Sequence, residues 1–328
     1  MSKPQPSAAV IYHPHKSDLT RLRAAVQKYE TRAGWAPTQW YETTESDAGT
    51  GLAIRAVEAG ASVVLTSGGD GTVRAVAEAL RGSGVPMAVI PQGTGNLLAR
   101  NLGAPLDDID GAVRAAFLGR NRAIDLGVIT IIRPDESEDE HVFLVLAGMG
   151  LDARAITATR SSLKKRLGWL AYVDAGVRTI FKDAPLQIHY SVDSAPAKAL
   201  TVYTVMIGNC GVLPGGVLLI PDAVLDDGRL DVVALRPLGP FSWLRIWHKI
   251  GWENGVLRKS RAGRKMIDLI NDTRSVSYMK AKQYALAVPH PEPIQLDGDD
   301  FGLAVAANGV VDPGALIVRV LPEWAAAV

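Results

Sequence analysis

The sequence predicts an α/β domain with a mostly parallel sheet, followed by an antiparallel β-sandwich domain. Short β-branched apolar runs alternate with helical periodicity up to residue 127, and many short β-rich stretches follow. The 328 residues also exceed what one core usually holds. We therefore expect an α/β domain over residues 1–127 and a β-sandwich domain over residues 128–328. The last few residues of the chain could also pack back on the first domain, and we leave this open.

The elements of the first domain follow from their periodicity. In the first helix Leu19, Leu22, Val26 and Tyr29 recur at helical spacing and mark one buried face. The predicted helices are Asp18–Ala33, Ala48–Ala59, Thr72–Arg81 and Ile109–Leu118. The predicted strands are Ala8–His13, Thr38–Glu42, Ser62–Thr66 and Met87–Pro91.

The second domain is predicted mainly as strands joined by short turns. Two helical interruptions are expected near Leu167–Phe181 and Phe241–Leu257, and the acidic segment Pro134–Glu140 is expected at a solvated hairpin tip. The predicted strands are Val128–Arg133, Val142–Leu146, Gln187–Val192, Leu200–Ile207, Arg229–Leu235 and Leu316–Val320.

Composition excludes several classes of protein. Thirty-five basic residues balance thirty-four acidic ones, so no overall field attracts nucleic acid, and we expect no nucleic-acid partner. The lone Cys210 cannot form an internal disulfide, and the six histidines lack metal-ligand spacing, so zinc catalysis is not expected. We find no signal-like or membrane-spanning apolar run, which predicts a cytoplasmic protein that meets membranes at most peripherally.

Two glycine-rich corners follow consecutive predicted strands. Residues 68–72, Gly-Gly-Asp-Gly-Thr, lead from a strand into a helix, where unpaired backbone N–H groups and the helix dipole suit a phosphate. Residues 92–96, Gln-Gly-Thr-Gly-Asn, form the second corner. In an open α/β sheet such corners line one crevice, and neither matches the P-loop or the dinucleotide fingerprint. The sequence therefore predicts a phosphate cradle of another type.

Seven motifs, in this order, resemble those of the diacylglycerol kinase catalytic-domain family, which also contains bacterial lipid kinases and the sphingosine and ceramide kinases. They are GGDGT at 68–72, GTGNLLARNLG at 93–103, IDLG at 124–127, GMGLD at 148–152, GN with PGG at 208–216, LDDGRLD at 225–231 and DGD at 297–299. The similarity runs from about residue 8 to 321. It implies an ATP-dependent kinase with a lipid-binding β-sandwich. The substrate we expect is diacylglycerol, which would give phosphatidic acid.

The resemblance places the nucleotide contacts on both corners. The family's threonine after the second strand corresponds to Thr43 or Thr44, and we prefer Thr43. The family's Asn-Pro after the first strand is His13-Pro14 here, and the Asn-Asp of many bacterial members is Asn96-Leu97. The predicted nucleotide-binding residues are Gly68, Gly69, Asp70, Gly71, Thr72, Gly93, Thr94, Asn96 and Thr43.

The resemblance also implies the acid residues and the metal. Asp297-Gly298-Asp299 stands where the family has Asp-Gly-Glu, so Asp299 is the candidate base, with Asp297 beside it and Asp70 as the alternative. The family's magnesium turn implies Mg²⁺ held by the Asp227 carboxylate and by the backbone carbonyls of Val224 and Arg229. Without the resemblance, the same turn would be an ordinary hairpin.

The expected partner is a lipid at a membrane surface. One predicted helical face carries Trp243, Trp247 and Ile250, and seven basic residues but one acid lie across Phe241–Lys265, which suits an anionic bilayer as well as it suits packing on the sandwich. A weaker basic-aromatic stretch spans Arg160–Tyr172. The sequence leaves open whether the protein forms a homodimer. The alternatives to a lipid kinase are a soluble NAD kinase-like enzyme and a non-catalytic nucleotide or lipid sensor.

Overall fold

The computed structural model describes residues 5–150, 185–213, 217–218, 220, 223–236 and 276–326. Both predicted helical interruptions, with the Trp243 face and the stretch 160–172, lie outside these ranges. The chain divides into two compact units. Unit 1 comprises Met1–Leu126, Leu225–Gly228 and Asp312–Val328, and unit 2 comprises Gly127–Val224 and Arg229–Val311.

Unit 1 is built on a parallel sheet. Its first four strands are β1 (Ser7–Tyr12), β2 (Ala36–Glu42), β3 (Val63–Gly68) and β4 (Met87–Pro91). They lie in the order β4-β3-β1-β2, and neighbouring strands pair in parallel. Every residue of β3 and β4 is buried, as expected for central strands that helices cover on both faces.

Five helices pack around this sheet. They are α1 (Leu19–Ala33), α2 (Thr50–Glu58), α3 (Asp70–Leu80), α4 (Leu97–Asn101) and α5 (Ile109–Leu118). The Asp18 side chain caps α1 and the Asp108 side chain caps α5, each by accepting a hydrogen bond from a first-turn N–H. Alternate residues of β1, such as Val10, share a core with α1 and α5, while α2 and α3 pack together and contact β1 and β3.

Unit 2 is antiparallel. Its strands run in the order β14-β13-β10-β7-β15-β16, with β8 paired to β15, β9 to β8 and β6 to β5. Side chains from these strands share one apolar core that includes Phe143, Leu186 and Leu296. The strands introduced here are β5 (Arg120–Ile132), β6 (Glu138–Phe143), β7 (Leu146–Gly150), β8 (Leu186–Val192), β9 (Lys198–Val202), β10 (Thr204–Gly208), β11 (Val212–Leu213), β12 (Val217–Leu218), β13 (Leu230–Leu235), β14 (Val276–Ala281), β15 (Gln283–Leu296) and β16 (Asp299–Val320).

The structure differs from the sequence-based expectation in several elements, and β5 begins at Arg120 rather than at Val128. Helix α3 begins two residues before Thr72, because Gly69 is its N-cap and the first turn takes in Asp70 and Gly71. The predicted strand Leu200–Ile207 is two strands. The predicted strand Leu316–Val320 is the end of β16, which lies in unit 1 and pairs in parallel with β4 rather than joining the sandwich.

The Asp125 carboxylate explains why unit 1 includes two late segments of the chain. Asp125 is 2% exposed, and its two oxygens accept hydrogen bonds from the backbone N–H groups of Gly228 (2.7 Å) and Gly314 (2.8 Å). Its own N–H donates to the Leu225 carbonyl at 2.7 Å. Segments 225–228 and 312–328 therefore fasten to the end of the first domain, whereas the sequence placed one boundary at residue 127.

We predict that Asp125→Asn lowers the free energy of unfolding by about 1.5–3 kcal/mol, the usual worth of a hydrogen bond to a charged group. The amide keeps one oxygen but turns an NH₂ group toward a backbone N–H donor. Urea denaturation measures the change. Asp110→Asn is the control, because the ion pair of Asp110 with Lys28 is exposed and its loss should cost less stability than the loss of a buried carboxylate. Equal effects of the two substitutions would contradict the prediction.

Candidate functional site

The carboxyl ends of the four parallel strands of unit 1 meet at one edge of its sheet. Tyr12 of β1 is the register partner of Ser67 in β3 and of Glu42 in β2, and Gly68 pairs with Pro91 of β4. The segments that follow these strands therefore emerge side by side. In open α/β sheets this edge is where ligands bind.

The first glycine corner joins β3 to α3. Gly69 is extended (φ −88°, ψ 178°) and serves as the N-cap, so the chain turns into the helix within one residue. Thr72 packs directly on Gly68, because a Cβ on Gly68 would lie 3.0 Å from the Thr72 side chain. The first-turn N–H groups of this 11-residue helix have no intrahelical acceptor and mark the positive end of its dipole.

The second corner is closed by Asn96. Its side-chain Oδ1 accepts from the Gly93 N–H at 2.8 Å, and its Nδ2 donates to the Gly93 carbonyl at 2.9 Å. Asn96 itself is left-handed (φ 49°), a conformation that asparagine tolerates better than most residues. The paired hydrogen bonds hold residues 93–96 as a tight loop ahead of α4, with Thr94 exposed at its tip.

The two corners touch through bare backbone. A Cβ on Gly93 would lie 2.8 Å from the Gly69 Cα and 3.2 Å from the Gly68 carbonyl oxygen. The Asp70 Oδ1 accepts from the Leu97 N–H at 2.6 Å, and a Cβ on Gly95 would collide with the same carboxylate. Only glycine fits at 93 and 95 without displacement. The two corners, here called the cradle, therefore pack as closely as their backbones allow, next to the helix N-terminus whose N–H groups suit a phosphate.

The loop after β1 is fastened to the same corner. The His13 N–H donates to the Ser67 carbonyl at 2.8 Å, and the Ser17 hydroxyl lies 2.9 Å from the Ser67 hydroxyl. The Gln92 amide donates to that Ser67 hydroxyl at 2.7 Å. Burial lowers the pKa of His13, and repulsion from Lys16 and His15 adds to the shift, so the imidazole is neutral near pH 7.

Thr43 and Thr44 follow β2 at this edge. Thr43 is buried, and its N–H donates to the Tyr12 carbonyl at 2.9 Å. Thr44 is engaged with its own loop, because its hydroxyl accepts from the Asp47 N–H at 3.1 Å. Asp47 in turn accepts from the N–H groups of Gly49 and Gly51 near the start of α2. Thr43 stays the predicted nucleotide contact.

In unit 2 the acidic motif is a two-residue hairpin turn between β15 and β16. Asp297 and Gly298 are both left-handed (φ 51° and 90°), and Asp299 opens β16 opposite Leu296. The Asp297 carboxylate is 5% exposed and accepts from three backbone N–H groups, at 2.8, 2.8 and 3.0 Å. These donors belong to residues 144–146, which run from the end of β6 into the first residue of β7. Asp297 therefore anchors the hairpin, and Asp299 is half-buried at its exit.

The predicted magnesium-binding residues lie in an exposed turn. Asp227, Val224 and Arg229 are all exposed, and the turn is held at Gly228 by Asp125. Within the described ranges, no group of three or more His, Cys, Asp or Glu side chains could hold a metal. One carboxylate with carbonyl oxygens suits Mg²⁺ chemically, since this ion prefers hard oxygen ligands and retains waters.

Two family models match the chain. One, described as the diacylglycerol kinase catalytic domain, matches residues 7–129, and the other, the YegS C-terminal NAD kinase beta sandwich-like domain, matches residues 145–320. The second model covers more than half of the chain, so the chain belongs to the family that carries the YegS C-terminal sandwich domain, and its N-terminal part matches the diacylglycerol kinase catalytic domain. This membership accounts for the α/β unit with its glycine corners and for the antiparallel sandwich of unit 2.

Named relatives agree with this family. The chain is 27% identical over 302 residues to a diacylglycerol kinase of Bacillus subtilis, covering 90% of each chain. It is 32% identical over 232 residues to a "probable lipid kinase YegS-like" protein of Pseudomonas fluorescens, covering 70% of this chain and 72% of that one. Other matches are partial, with 32% of a Synechocystis relative and 56% of a Pseudomonas aeruginosa relative covered.

The fold of the whole chain has a counterpart among solved structures. A crystal structure of a diacylglycerol kinase from Bacillus anthracis superposes with a TM-score of 0.69 at 17% identity, covering 98% of this chain and 99% of that chain. At this identity the match shows the fold alone. Of the helices in the described part of this chain, none has both the length and the apolar character needed to cross a bilayer.

Sequence reasoning missed several residues that shape the site. Ser67 and Gln92 join the loop after β1 to the second corner, and Lys16 lies against Gly69. The sequence signal that could have pointed to these residues was their position at or just after the ends of the predicted strands. Asp125 stood within a recognised motif, but its bonds to Gly228 and Gly314 could not be read from spacing.

We predict that Asp297→Asn destabilises unit 2 by about 2–3 kcal/mol, because an amide cannot accept three N–H hydrogen bonds and its NH₂ group opposes one donor. Urea unfolding and hydrogen exchange at residues 144–146 measure the effect. Asp300→Asn is the matched control, since Asp300 lies in the same hairpin, is exposed, and accepts from the Gly302 N–H. Unchanged protection of residues 144–146 in Asp297→Asn would contradict this role.

Proposed function

We propose that the protein is an ATP-dependent lipid kinase that transfers the γ-phosphate of ATP to a lipid hydroxyl, with diacylglycerol as substrate and phosphatidic acid as product. The observation that carries the proposal is the contact of the two glycine corners at the carboxyl ends of adjacent parallel strands, in a chain of this family. The names of the Bacillus subtilis and Pseudomonas fluorescens relatives support the same reaction class.

The proposal assigns the phosphates of ATP to the two corners. Phosphoryl transfer needs charge neutralisation and in-line positioning more than covalent chemistry. The first-turn N–H groups of α3 offer fixed donors for this purpose, and the Asn96 hydrogen bonds hold the neighbouring loop at 93–96 in a fixed shape. The Asp70 carboxylate is already engaged, because its Oδ1 accepts from the Leu97 N–H at 2.6 Å. Its role in the proposal is to hold the corners together.

The acceptor chemistry is assigned to Asp299. The lipid oxygen forms a bond to the γ-phosphorus while its proton passes to the Asp299 carboxylate, and the bond from the γ-phosphorus to the bridging oxygen breaks to release ADP. Asp297 cannot serve as this base without leaving three backbone donors unpaired. In the proposal Asp297 holds the hairpin in position, and Asp299 accepts the proton of the lipid hydroxyl.

Mg²⁺ is assigned to the turn 224–229, where the Asp227 carboxylate and the carbonyls of Val224 and Arg229 would hold it. A bound Mg²⁺ supplies charge neutralisation to the nucleotide phosphates. The contribution of this chain is to fix the backbone of the turn. Asp125 does so through the Gly228 N–H, and Arg122 pairs with Asp226 at 3.0 Å.

The lipid acceptor places the enzyme at a membrane surface. We propose a cytoplasmic protein that associates peripherally, because the sequence 241–265 combines seven basic residues with three apolar or aromatic residues that the periodicity predicts on one face of a helix. Each basic side chain near an anionic surface contributes about 1 kcal/mol.

Transfer of labelled γ-phosphate from ATP to a panel of acceptors tests the reaction. We expect label on diacylglycerol, with ceramide, sphingosine and monoacylglycerol as comparison lipids and NAD as the non-lipid comparison. Label on NAD and on no lipid would support the NAD kinase-like alternative. ATP binding without transfer to any acceptor would support a sensor instead.

We predict that Asp299→Asn lowers kcat by about 10²–10⁴-fold, the usual contribution of a general base. Asp299→Glu restores the length found in most of the family and should keep measurable activity. Asp300→Asn, one residue further along β16, is the control and should leave kcat within a few-fold. Wild-type kcat in Asp299→Asn would remove Asp299 from the mechanism.

We predict that Gly93→Ala lowers kcat/KM for ATP by about a hundredfold, because the new Cβ would lie 2.8 Å from the Gly69 Cα and 3.1 Å from the Asn96 Oδ1, so one corner must shift by a sizeable part of 1 Å. Steady-state kinetics measure the change. Gly148→Ala is the control, since its Cβ would meet nothing nearer than 3.7 Å. Kinetics for ATP that match those of Gly148→Ala would show that the corner contact does not shape the site.

A further inference from the structure

The Lys16 side chain lies over the first glycine corner. A Cβ on Gly69 would come within 2.9 Å of the Lys16 Nζ, 3.7 Å of its Cδ and 3.9 Å of its Cε. The end of the lysine side chain therefore rests against the bare Cα of Gly69. Any other residue at 69 would compete with the ammonium for this space.

Hydrogen bonds fix the backbone around Lys16, so the position of this residue does not depend on its side-chain rotamer alone. The N–H groups of Lys16 and Ser17 both donate to the His13 carbonyl, at 3.2 and 3.0 Å. His13 and Ser17 are in turn hydrogen-bonded to Ser67, the residue before Gly68. The loop thus holds the start of the lysine side chain at a set distance from the corner.

The electrostatics of the corner alone do not favour a cation there. Gly69 is the N-cap of α3, where the helix dipole is positive and cations are disfavoured. Among the residues that the structure describes, no carboxylate lies within ion-pair distance of the Lys16 ammonium. The Asp70 carboxylate next to it accepts from the Leu97 N–H. An anion at the corner would turn this unfavourable arrangement into an attractive one.

We propose that Lys16 is a phosphate-binding residue, whose ammonium contacts the β- or γ-phosphate of the nucleotide held by residues 68–72. This inference rests on the proposed function and adds a side-chain cation to a cradle otherwise made of backbone N–H groups. It also gives the loop 13–17 a ligand contact in a chain that carries His13-Pro14 at its start. Lysine suits this role because its ammonium acts as a point charge at the end of a flexible stem.

Equilibrium binding of ATP, ADP and AMP in the presence of Mg²⁺ tests the proposal with the full chain, by titration calorimetry at 50 mM and 300 mM salt. We expect Lys16→Gln to weaken ATP binding by roughly ten- to a hundredfold, the range for one charge-assisted hydrogen bond. AMP binding should change by less than about threefold, since AMP carries neither outer phosphate. Lys16→Arg should keep most of the ATP affinity.

Lys28→Gln is the matched control, because Lys28 pairs with Asp110 on the outside of α1 and has no part in the corner. It should bind all three nucleotides as the wild type does. Thermal unfolding of each variant separates a binding effect from misfolding. Higher salt should weaken wild-type ATP binding more than binding to Lys16→Gln.

Two results would overturn the proposal. If the wild type binds ATP and Lys16→Gln binds it equally well, Lys16 is not a phosphate ligand, and the proposed kinase function stands. If Lys16→Gln loses ATP and AMP affinity by the same factor, the lysine acts elsewhere than on the outer phosphates. A wild type that binds no ATP at all would instead contradict the proposed function itself.

Discussion

The candidate site depends on one steric constraint, the contact between the backbones of Gly69 and Gly93. Adjacent parallel strands end at the same height, because Gly68 and Pro91 are register partners, so the segments after them must pass within contact distance. There is no space for a Cβ between them. The Asp70 bond to Leu97 keeps the two segments from separating, beside a helix N-terminus whose dipole suits a phosphate.

Buried carboxylates that accept backbone N–H hydrogen bonds fix the remaining geometry. Asp125 binds Gly228 and Gly314, and Asp297 binds residues 144–146. An ionised carboxylate is costly to bury unless donors satisfy it, and backbone N–H groups satisfy it without a counter-charge. Because each partner lies more than 100 positions away in sequence, these bonds join segments that no local propensity would bring together. An acidic residue in a family motif can therefore serve the fold rather than the reaction.

Much of unit 1 could be predicted from sequence, and the reason is local. Its strands and helices have strong periodicity and sharp end signals, so Met87–Pro91 and Ile109–Leu118 were placed with their observed bounds. The short α4 was missed because five residues give too little periodicity. The end of β16 was grouped with the sandwich strands, with its return to the first domain left open, because one apolar strand pattern does not say which partner it will find.

The glycines of the site were also predictable, whereas the partners of its polar side chains were not. GGDGT and GTGN mark their corners directly, but spacing gives no sign that Asn96 binds the Gly93 backbone or that Ser67 binds Ser17 and Gln92. Lys16 looks like any exposed lysine after a strand. Its contact with Gly69 depends on the hydrogen bonds of a loop whose sequence carries no recognised motif.

The anchoring of the hairpin bears on how a short carboxylate can occupy position 299. Aspartate reaches one methylene less far than glutamate, so the position of its carboxylate depends more directly on the backbone. At this hairpin the backbone is closely determined: Asp297 and Gly298 take left-handed conformations, and three hydrogen bonds hold the turn to residues 144–146. A longer side chain would add a rotatable bond and the entropy of ordering it. A rigid turn thus gives a short acid a defined position, and the fold of unit 2 supplies that rigidity.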